Sequence, residues 1–360
     1  MPKTPEWPEL DLPLTPPYPP MEAQRKEKIP QGGDGWQYEP KWDGFRALVF
    51  RDRDQVAIQS KAGQPLHRYF PEMVEATLAL PAKRFVLDGE LVIPVKGRLS
   101  FDDLLQRIHP AASRIEKLAQ QTPAQLLAFD LLAEPYGRGR VRSLAGQPLE
   151  ERRERLEELF ASVPSSAPFH LTPATTDFDI ASEWFRKWAS AGLNGVMAKR
   201  LGIPYRSGER DGMVKVKRFR EADCVVGGFR YSSSGKKSIG AILLGLYDSE
   251  GRLLFTGHSS TFTAAERKEL VSVLEPLKGR NAFEVRVPGG PSRWASERSS
   301  EWVPLQPKLV CEVRYDAFTQ GRFRHGTKFV RWRSDKSPKS CTIDQVTAEA
   351  SPALGTLLRA

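Results

Sequence analysis

Glu39-Pro40-Lys41-Trp42-Asp43-Gly44-Phe45-Arg46 is the stretch on which the reading of this chain turns. It lies in an aromatic and β-branched run, Trp36–Phe50, that reads as strand. Lysine followed by x-Asp-Gly suits an ordinary turn. It also suits a lysine nucleophile. An ε-ammonium cannot attack until it loses its proton, so burial or nearby positive charge must lower its pKa. Arg46, Lys215, Lys217 and a metal ion are the charges that could do so.

Four more segments carry chemistry. Asp88-Gly89-Glu90 interrupts the apolar strand Phe85–Val95. Two carboxylates there either face solvent at a strand edge or bind something, because burying them alone is costly. Phe129-Asp130 ends another apolar strand, Leu126–Leu132, and for Phe129 alone plain core is the simpler reading. Lys215-Val216-Lys217-Arg218 alternates, so a strand would present Lys215 and Lys217 on one face to a common anion, or to water. Phe329-Val330-Arg331-Trp332-Arg333-Ser334-Asp335-Lys336 groups three cations around one acid, a phosphate-binding composition that a wet surface also produces.

The 360 residues suggest two domains. The first twenty hold eight prolines and read as an extended, polyproline-like arm. A mixture of strands and helices continues to about Phe219. Helical spacing shows at Leu149, Arg152, Leu156, Leu159 and Phe160, and at Ile180, Trp184 and Trp188 behind a plausible cap at Asp177. The texture then changes. Asp223–Phe229, Ala241–Tyr247 and Leu253–Gly257 are short strands parted by Gly/Ser turns. In Leu309–Asp316, Leu309, Cys311, Val313 and Tyr315 share one face of a half-buried strand. Thr263 and Glu266 form a capping box ahead of Leu270, Leu274 and Leu277. About five strands and one helix suggest a small β-barrel of the OB type. The expected organisation is an arm at 1–21, an α+β domain at 22–220, the barrel at 221–346 and a tail at 347–360.

Composition narrows the function. Hydrophobic content of 40% with 27% charged residues supports a core and excludes global disorder. The densest apolar runs, Leu126–Leu132 and Ala241–Tyr247, are strand-sized, so no helical membrane span is expected. The start lacks a signal-peptide pattern. Cys224, Cys311 and Cys341 make no CxxC pair or disulfide framework and suit a reducing cytoplasm. The scattered histidines argue against a His-based zinc site. The net charge of +10 points to a polyanion, most often nucleic acid, or to a basic protein without such a partner.

The order Lys-x-Asp-Gly, Asp-Gly-Glu, Phe-Asp, Lys-x-Lys, Arg-x-Asp-Lys resembles the covalent nucleotidyltransferases. Within them it is similar to the ATP-dependent DNA ligases, in particular the compact bacterial ligases associated with end joining. The motifs span Pro13 to Thr342, and Phe-x-Arg-x-Arg-x-Asp-Lys favours ligase over mRNA-capping enzyme. The resemblance implies an α+β fold: a nucleotidyltransferase (adenylation) domain of antiparallel sheets and helices, followed by a C-terminal OB-fold β-barrel. It implies ATP and a divalent metal, Mg²⁺ or Mn²⁺, as cofactors. Lys41 would attack the α-phosphorus of ATP and carry AMP. Glu39 would line the adenine pocket and Phe129 would stack on the base. Arg46 and Glu90 would contact the ribose and help position the DNA phosphate. Asp43 and Asp88 would support the lysine and the arginine. Lys215 and Lys217 would hold the α-phosphate. Arg331, Arg333, Asp335 and Lys336 would orient the pyrophosphate leaving group.

Two positions depart from the family pattern. Its metal-binding Glu-Gly is Asn194-Gly195 here, so Glu90 and Asn194 are the candidate metal ligands with one negative charge fewer. Its Ser-Arg-x-Gly is Ser60-Lys61-Ala62-Gly63, where Lys61 offers a point charge to phosphate in place of a fork. The implied partner is nicked or broken double-stranded DNA, gripped mostly through phosphates. Candidates for that grip are the Ser232–Lys237 turn and Arg314, Arg322 and Arg324. About twenty residues before the catalytic domain leave no room for a bundled DNA-binding domain. DNA encirclement would then be partial or need a DNA end-binding protein. A monomer in the bacterial cytoplasm, associated with the nucleoid and not with a membrane, is expected. The rival readings are an RNA ligase or capping-type nucleotidyltransferase, and a non-catalytic OB-type nucleic-acid-binding protein.

Overall fold

The computed structural model describes residues 7–31, 35–187, 193–233, 235–288 and 301–347. The chain forms two units, one through Arg218 and the other from Phe219.

The first unit is built on two sheets. In chain order its strands are β1 (Gln24–Lys26), β2 (Trp36–Pro40), β3 (Phe45–Asp52), β4 (Gln55–Ser60), β5 (Arg84–Val92), the small hairpin β6 (Pro94–Val95) and β7 (Arg98–Leu99), β8 (Gln125–Tyr136), β9 (Arg140–Ser143), β10 (Phe169–Leu171), β11 (Gly195–Arg200) and β12 (Met213–Lys217). One sheet runs β1-β12-β11-β2 and the other β10-β8-β5-β3-β4, with β9 on β8. All pairings are antiparallel except those of the short strands β1 and β10. The helices are α1 (Pro71–Ala79), α2 (Phe101–Arg107), α3 (Ala112–Gln121), α4 (Leu149–Ala161) and α5 (Phe178–Lys187). Asp177 caps α5, accepting from the Asp179 N–H at 2.7 Å; Trp188 lies outside the described residues.

Period-two patterning explains the layering. On one face of the larger sheet Val49, Leu87, Leu91 and Leu131 pack with Met73, Leu104 and Leu156 from the helices. On the other, Leu48, Phe50, Val86 and Leu132 pack with Met213 of the smaller sheet and with the arm. The described part of the arm, from Trp7, has no ladder, as its prolines require, yet it is docked. Leu10, Leu12, Leu14 and Tyr18 cover this core. The Asp11 N–H donates to Asp52 at 2.7 Å, and Tyr18 and Gln59 exchange two hydrogen bonds.

The sequence reading of Trp36–Phe50 as one strand is corrected. The chain breaks at Lys41–Gly44, leaving β2 in one sheet and β3 in the other. A Cβ on Gly44 would lie 2.2 Å from the Leu91 carbonyl oxygen, so only glycine lets β3 enter its place beside β5. Likewise Phe129 falls inside β8, not at a strand end, and β5 stops at Val92 before Pro94.

The second unit contains β13 (Arg220–Ser232), β14 (Gly235–Tyr247), β15 (Leu253–Ser259), α6 (Ala264–Leu274), β16 (Val303–Tyr315), β17 (Phe318–Thr319), β18 (Arg322–Phe323) and β19 (Lys328–Trp332). The strand order is β15-β14-β13-β16-β19. A parallel bridge from Ser259 to Thr327, next to β19, joins the two ends and closes the sheet into a barrel. Closure in this order, with α6 between the third and fourth long strands, is the OB-fold. Thr263 and Glu266 cap α6 reciprocally, as their spacing predicts. Cys224, Cys311 and Cys341 are buried free thiols in the barrel core. Among the described residues no helix is long and apolar enough to cross a membrane.

Gly195 is the most constrained backbone position of the first unit. Its φ is +145°, and a Cβ there would lie 1.9 Å from the Val216 carbonyl oxygen. Gly195→Ala should therefore destabilise the unit by at least about 2 kcal/mol, lowering its melting temperature by roughly 4–8 °C. An unchanged thermal unfolding curve would contradict this.

Candidate active site

The break between β2 and β3 puts Lys41 in the lining of a cavity of about 510 Å³. Its backbone is pinned on both sides: the Lys41 N–H donates to the Gly195 carbonyl at 2.9 Å, and the Asn194 N–H donates to the Lys41 carbonyl at 3.0 Å. The half-buried side chain reaches the Trp42 carbonyl at 3.3 Å. Arg46, Lys61, Glu90 and Lys215 line the same cavity, with Phe129.

Two of the lining groups come from adjacent strands in register. Arg46 on β3 faces Glu90 on β5, and Asp88, two residues before Glu90, lies on the same face. Asp88 is fully buried and takes Arg46 in a fork, Nε to Oδ1 at 3.0 Å and Nη2 to Oδ2 at 2.6 Å. The Tyr205 hydroxyl donates to Oδ2 at 2.6 Å and accepts the Met21 N–H at 2.9 Å. Arg46 Nη1 donates to the Met21 carbonyl at 2.6 Å. Asp88 is thus the anchor of the arginine, not a solvent-facing edge. Glu90 accepts the Gly44 N–H at 3.1 Å. Burial pushes its carboxyl up to about 7, against the pull of Lys41 and Arg46.

Across the cavity β12 presents Lys215, half-buried between the buried Val214 and Val216. Burial and the neighbouring charges of Lys61, Lys41 and Lys217 lower its pKa. The four lysines form one electropositive cluster whose mutual repulsion an anion would relieve. Lys61 follows Ser60 in the turn that Gly63 closes at φ +72°, and it meets Glu22 at 3.4 Å.

The remaining wall is the one the sequence analysis left incomplete. Glu39 is buried, and it is paired with Lys199 on β11 at 2.9 Å. Phe129 stays half-buried with its ring in the cavity. Neither Lys199 nor Tyr205 was singled out from sequence. For Lys199 a signal was available: a lysine in the buried strand Gly195–Arg200 needs a counter-charge.

Some expected site residues lie elsewhere. Asp43, Asn194 and Lys217 do not line the cavity, although Asp43 and Lys217 act electrostatically on Glu90 and Lys215. Arg331, Arg333, Asp335 and Lys336 belong to the second unit and form their own cluster. Arg333 bridges Asp335, Asp223 and Glu312 at 2.8–3.1 Å; Arg331 also holds Glu312, and Lys336 is 3.7 Å from Asp223. Arg333 lowers Asp335 to about 2. Of the DNA-grip candidates, Lys236 and Lys237 are exposed, Arg314 is paired with Glu221, and Arg322 lies over Phe255; residue 234 is outside the described residues.

The lining combines cationic side chains with an aromatic ring and a buried carboxylate, the kinds of group that a nucleoside triphosphate would need. The metal test is narrower. Among the described residues no three His, Cys, Asp or Glu side chains gather as a metal site. Of the two candidate ligands only Glu90 lines the cavity, where its carboxylate suits a hard cation; Asn194 lies outside the lining.

Comparison with known proteins gives the family. A family model described as ATP dependent DNA ligase domain matches residues 20–217, and one described as ATP dependent DNA ligase C terminal region matches residues 235–336. The chain is 49% identical to DNA ligase C1 of Mycolicibacterium smegmatis over 346 residues, covering 94% of this chain and 96% of that protein. It is 32% identical to the multifunctional non-homologous end joining protein LigD of Pseudomonas aeruginosa, covering 94% of this chain and 37% of that protein. A solved Lig E DNA ligase shares the fold, with a TM-score of 0.52 and 18% identity, covering 88% of this chain and 99% of that one. The protein belongs to the ATP-dependent DNA ligase family.

Proposed function

We propose that the protein seals 3′-hydroxyl/5′-phosphate nicks or breaks in duplex DNA during repair, at the expense of ATP, as a monomer in the bacterial cytoplasm. The observation that carries this reading is a single cavity lined by Lys41 together with Arg46, Lys61, Lys215, Glu39 and Phe129. In the first step the Lys41 amine attacks the α-phosphorus of ATP. A P–N bond forms, the bond to pyrophosphate breaks, and the amine proton leaves to solvent. Lys215 and Lys61 neutralise charge on the phosphate, and Arg331, Arg333, Asp335 and Lys336 orient the pyrophosphate. In the second step the 5′-phosphate of DNA takes the AMP and frees Lys41. In the third the 3′-hydroxyl attacks that phosphate and expels AMP. Phosphoryl transfer of this kind depends on in-line placement and charge neutralisation, which a cation-lined site supplies without a histidine base. A bound Mg²⁺ or Mn²⁺, with Glu90 and Asn194 as available protein ligands, would add to that neutralisation. The 32% identity to an end-joining protein supports a role at double-strand breaks, beside a DNA end-binding partner.

The first test is ATP labelled at the α-phosphate followed by denaturing electrophoresis. Label should travel with the wild-type chain and fall below about 1% of that level in Lys41→Ala. Equal labelling of the variant would sink the assignment. Asn194→Asp restores a charged ligand, so the Mg²⁺ concentration giving half-maximal nick sealing should drop several-fold, to roughly a fifth; no change would remove Asn194 from the metal site. Glu90 offers a pH test. Its folded pKa near 7 lies above its ordinary 4.5, so the carboxyl costs no stability below pH 4.5 and destabilises the fold increasingly as pH rises towards 7. Glu90→Gln should match wild type at the acid end and exceed it by about 1–2 kcal/mol above pH 7, after allowance for solvent screening. A stability difference that does not vary with pH would exclude this account of Glu90.

A further inference from the structure

Lys199 is a charged side chain that the three-step chemistry does not use. It is 6% exposed, on the central strand β11, in register between the neighbouring strands. Its ammonium makes three contacts, all at one wall of the cavity. It meets Glu39 Oε2 at 2.9 Å, donates to the Phe129 carbonyl at 3.1 Å, and lies 4.4 Å from the centre of the Phe129 ring. The other Glu39 oxygen accepts from Gln37 Nε2 at 2.8 Å. A carboxylate has about four lone-pair directions, so two occupied ones leave others free on a side chain that lines the cavity.

This arrangement has a chemical consequence. A carboxylate held as half of a buried ion pair is an acceptor and nothing else. It suits a base edge that carries an amino group and opposes one that carries a carbonyl. Adenine presents an exocyclic N–H₂ at the position where guanine presents O6. Guanine in the same pose would set two acceptors against each other in a dry site, and a buried polar mismatch of that kind discriminates strongly.

We propose that Lys199 is the positioning residue of the base pocket: its ammonium fixes the Glu39 carboxylate and the Phe129 ring together, and so makes the site select adenine over guanine nucleotides. The proposal rests on the reading that a nucleoside triphosphate enters this cavity. Lys199 itself touches neither the triphosphate nor the reacting phosphorus in this scheme. Its loss should therefore appear in nucleotide choice and affinity, not in the chemical step.

The test is equilibrium dialysis of the full-length protein with ATP or GTP in metal-free buffer containing EDTA, where no covalent transfer occurs. Wild type should bind ATP in preference to GTP. Lys199→Met should reduce that preference by at least about tenfold. Lys199→Arg, which can still donate to the carboxylate, should recover it to within about threefold. Glu39→Gln keeps the size of the side chain but adds a donor that guanine O6 can accept, so GTP binding should rise relative to ATP. This variant decides the matter should Lys199→Met fail to fold. With metal present, saturating ATP should bring the adenylation rate of Lys199→Met to within about threefold of wild type, the loss lying in KM. An ATP:GTP ratio unchanged in a folded Lys199→Met would overturn the proposal while leaving the ligase assignment intact, and so would an unchanged ratio in Glu39→Gln should Lys199→Met not fold. Wild type that binds neither nucleotide would overturn both.

Discussion

The buried fork between Arg46 and Asp88 is the contact on which the catalytic unit depends. It joins adjacent strands of the larger sheet, and through Tyr205 and Met21 it also ties down the loop before β12 and the end of the arm. A buried ion pair is not by itself a source of stability, because desolvating both charges offsets most of the attraction. This one does something else. Every oxygen of Asp88 and most donors of Arg46 are taken, so the guanidinium has a single orientation. Three segments remote in sequence must converge before that orientation exists. Arg46 is placed at the cavity wall by the same contacts that hold the arm on the sheet, so folding and site assembly are one event.

The sequence disclosed the chemistry better than the architecture. Lys41, Glu90 and Lys215 stand out as chemically out of place, a lysine before a turn, a carboxylate in an apolar strand and alternating lysines, whereas Phe129 reads as plain core and takes a role only through the family resemblance. The division of Trp36–Phe50 between two sheets was not legible. Strand patterning records which face is buried, and both halves of that run carry the same pattern. The break follows from Gly44 meeting Leu91, a contact 47 residues away in the chain. Asp130 with Arg152, Asp88 with Tyr205, and Glu39 with Lys199 are likewise pairs set by tertiary placement. No periodicity writes them into the chain. The arm is a related case: its prolines dictate an extended backbone, while its docking depends on Leu10, Leu12, Leu14 and Tyr18 finding a surface made by other strands.

The cations of the second unit sharpen what a basic motif means. The composition of Phe329–Lys336 suggests free charge awaiting phosphate. In the structure Arg331, Arg333 and Lys336 are held by Glu312, Asp223 and Asp335. The outer cations, Arg331 on Glu312 and Lys336 near Asp223, are open to water, and such pairs are worth little. Arg333 is largely shielded together with Asp223 and Glu312, so both acids fix its direction.

In the nucleotide cavity the balance is the opposite. Lys41, Lys61 and Lys217 lie close enough to depress Lys215, with Glu22 pulling the other way, while burial pushes the Glu90 carboxyl up to about 7. Five cationic side chains line the cavity against three carboxylates, Glu22, Glu39 and Glu90, and the crowding of the lysines costs free energy that Glu22 relieves only in part. A triphosphate supplies the missing negative charge, and the gain is largest where charge builds up during transfer, because the cations need not reorganise when it does. The same excess that makes the free site costly also lowers the barrier to deprotonating a lysine within it, so activation of the nucleophile and recognition of the phosphate have one electrostatic origin.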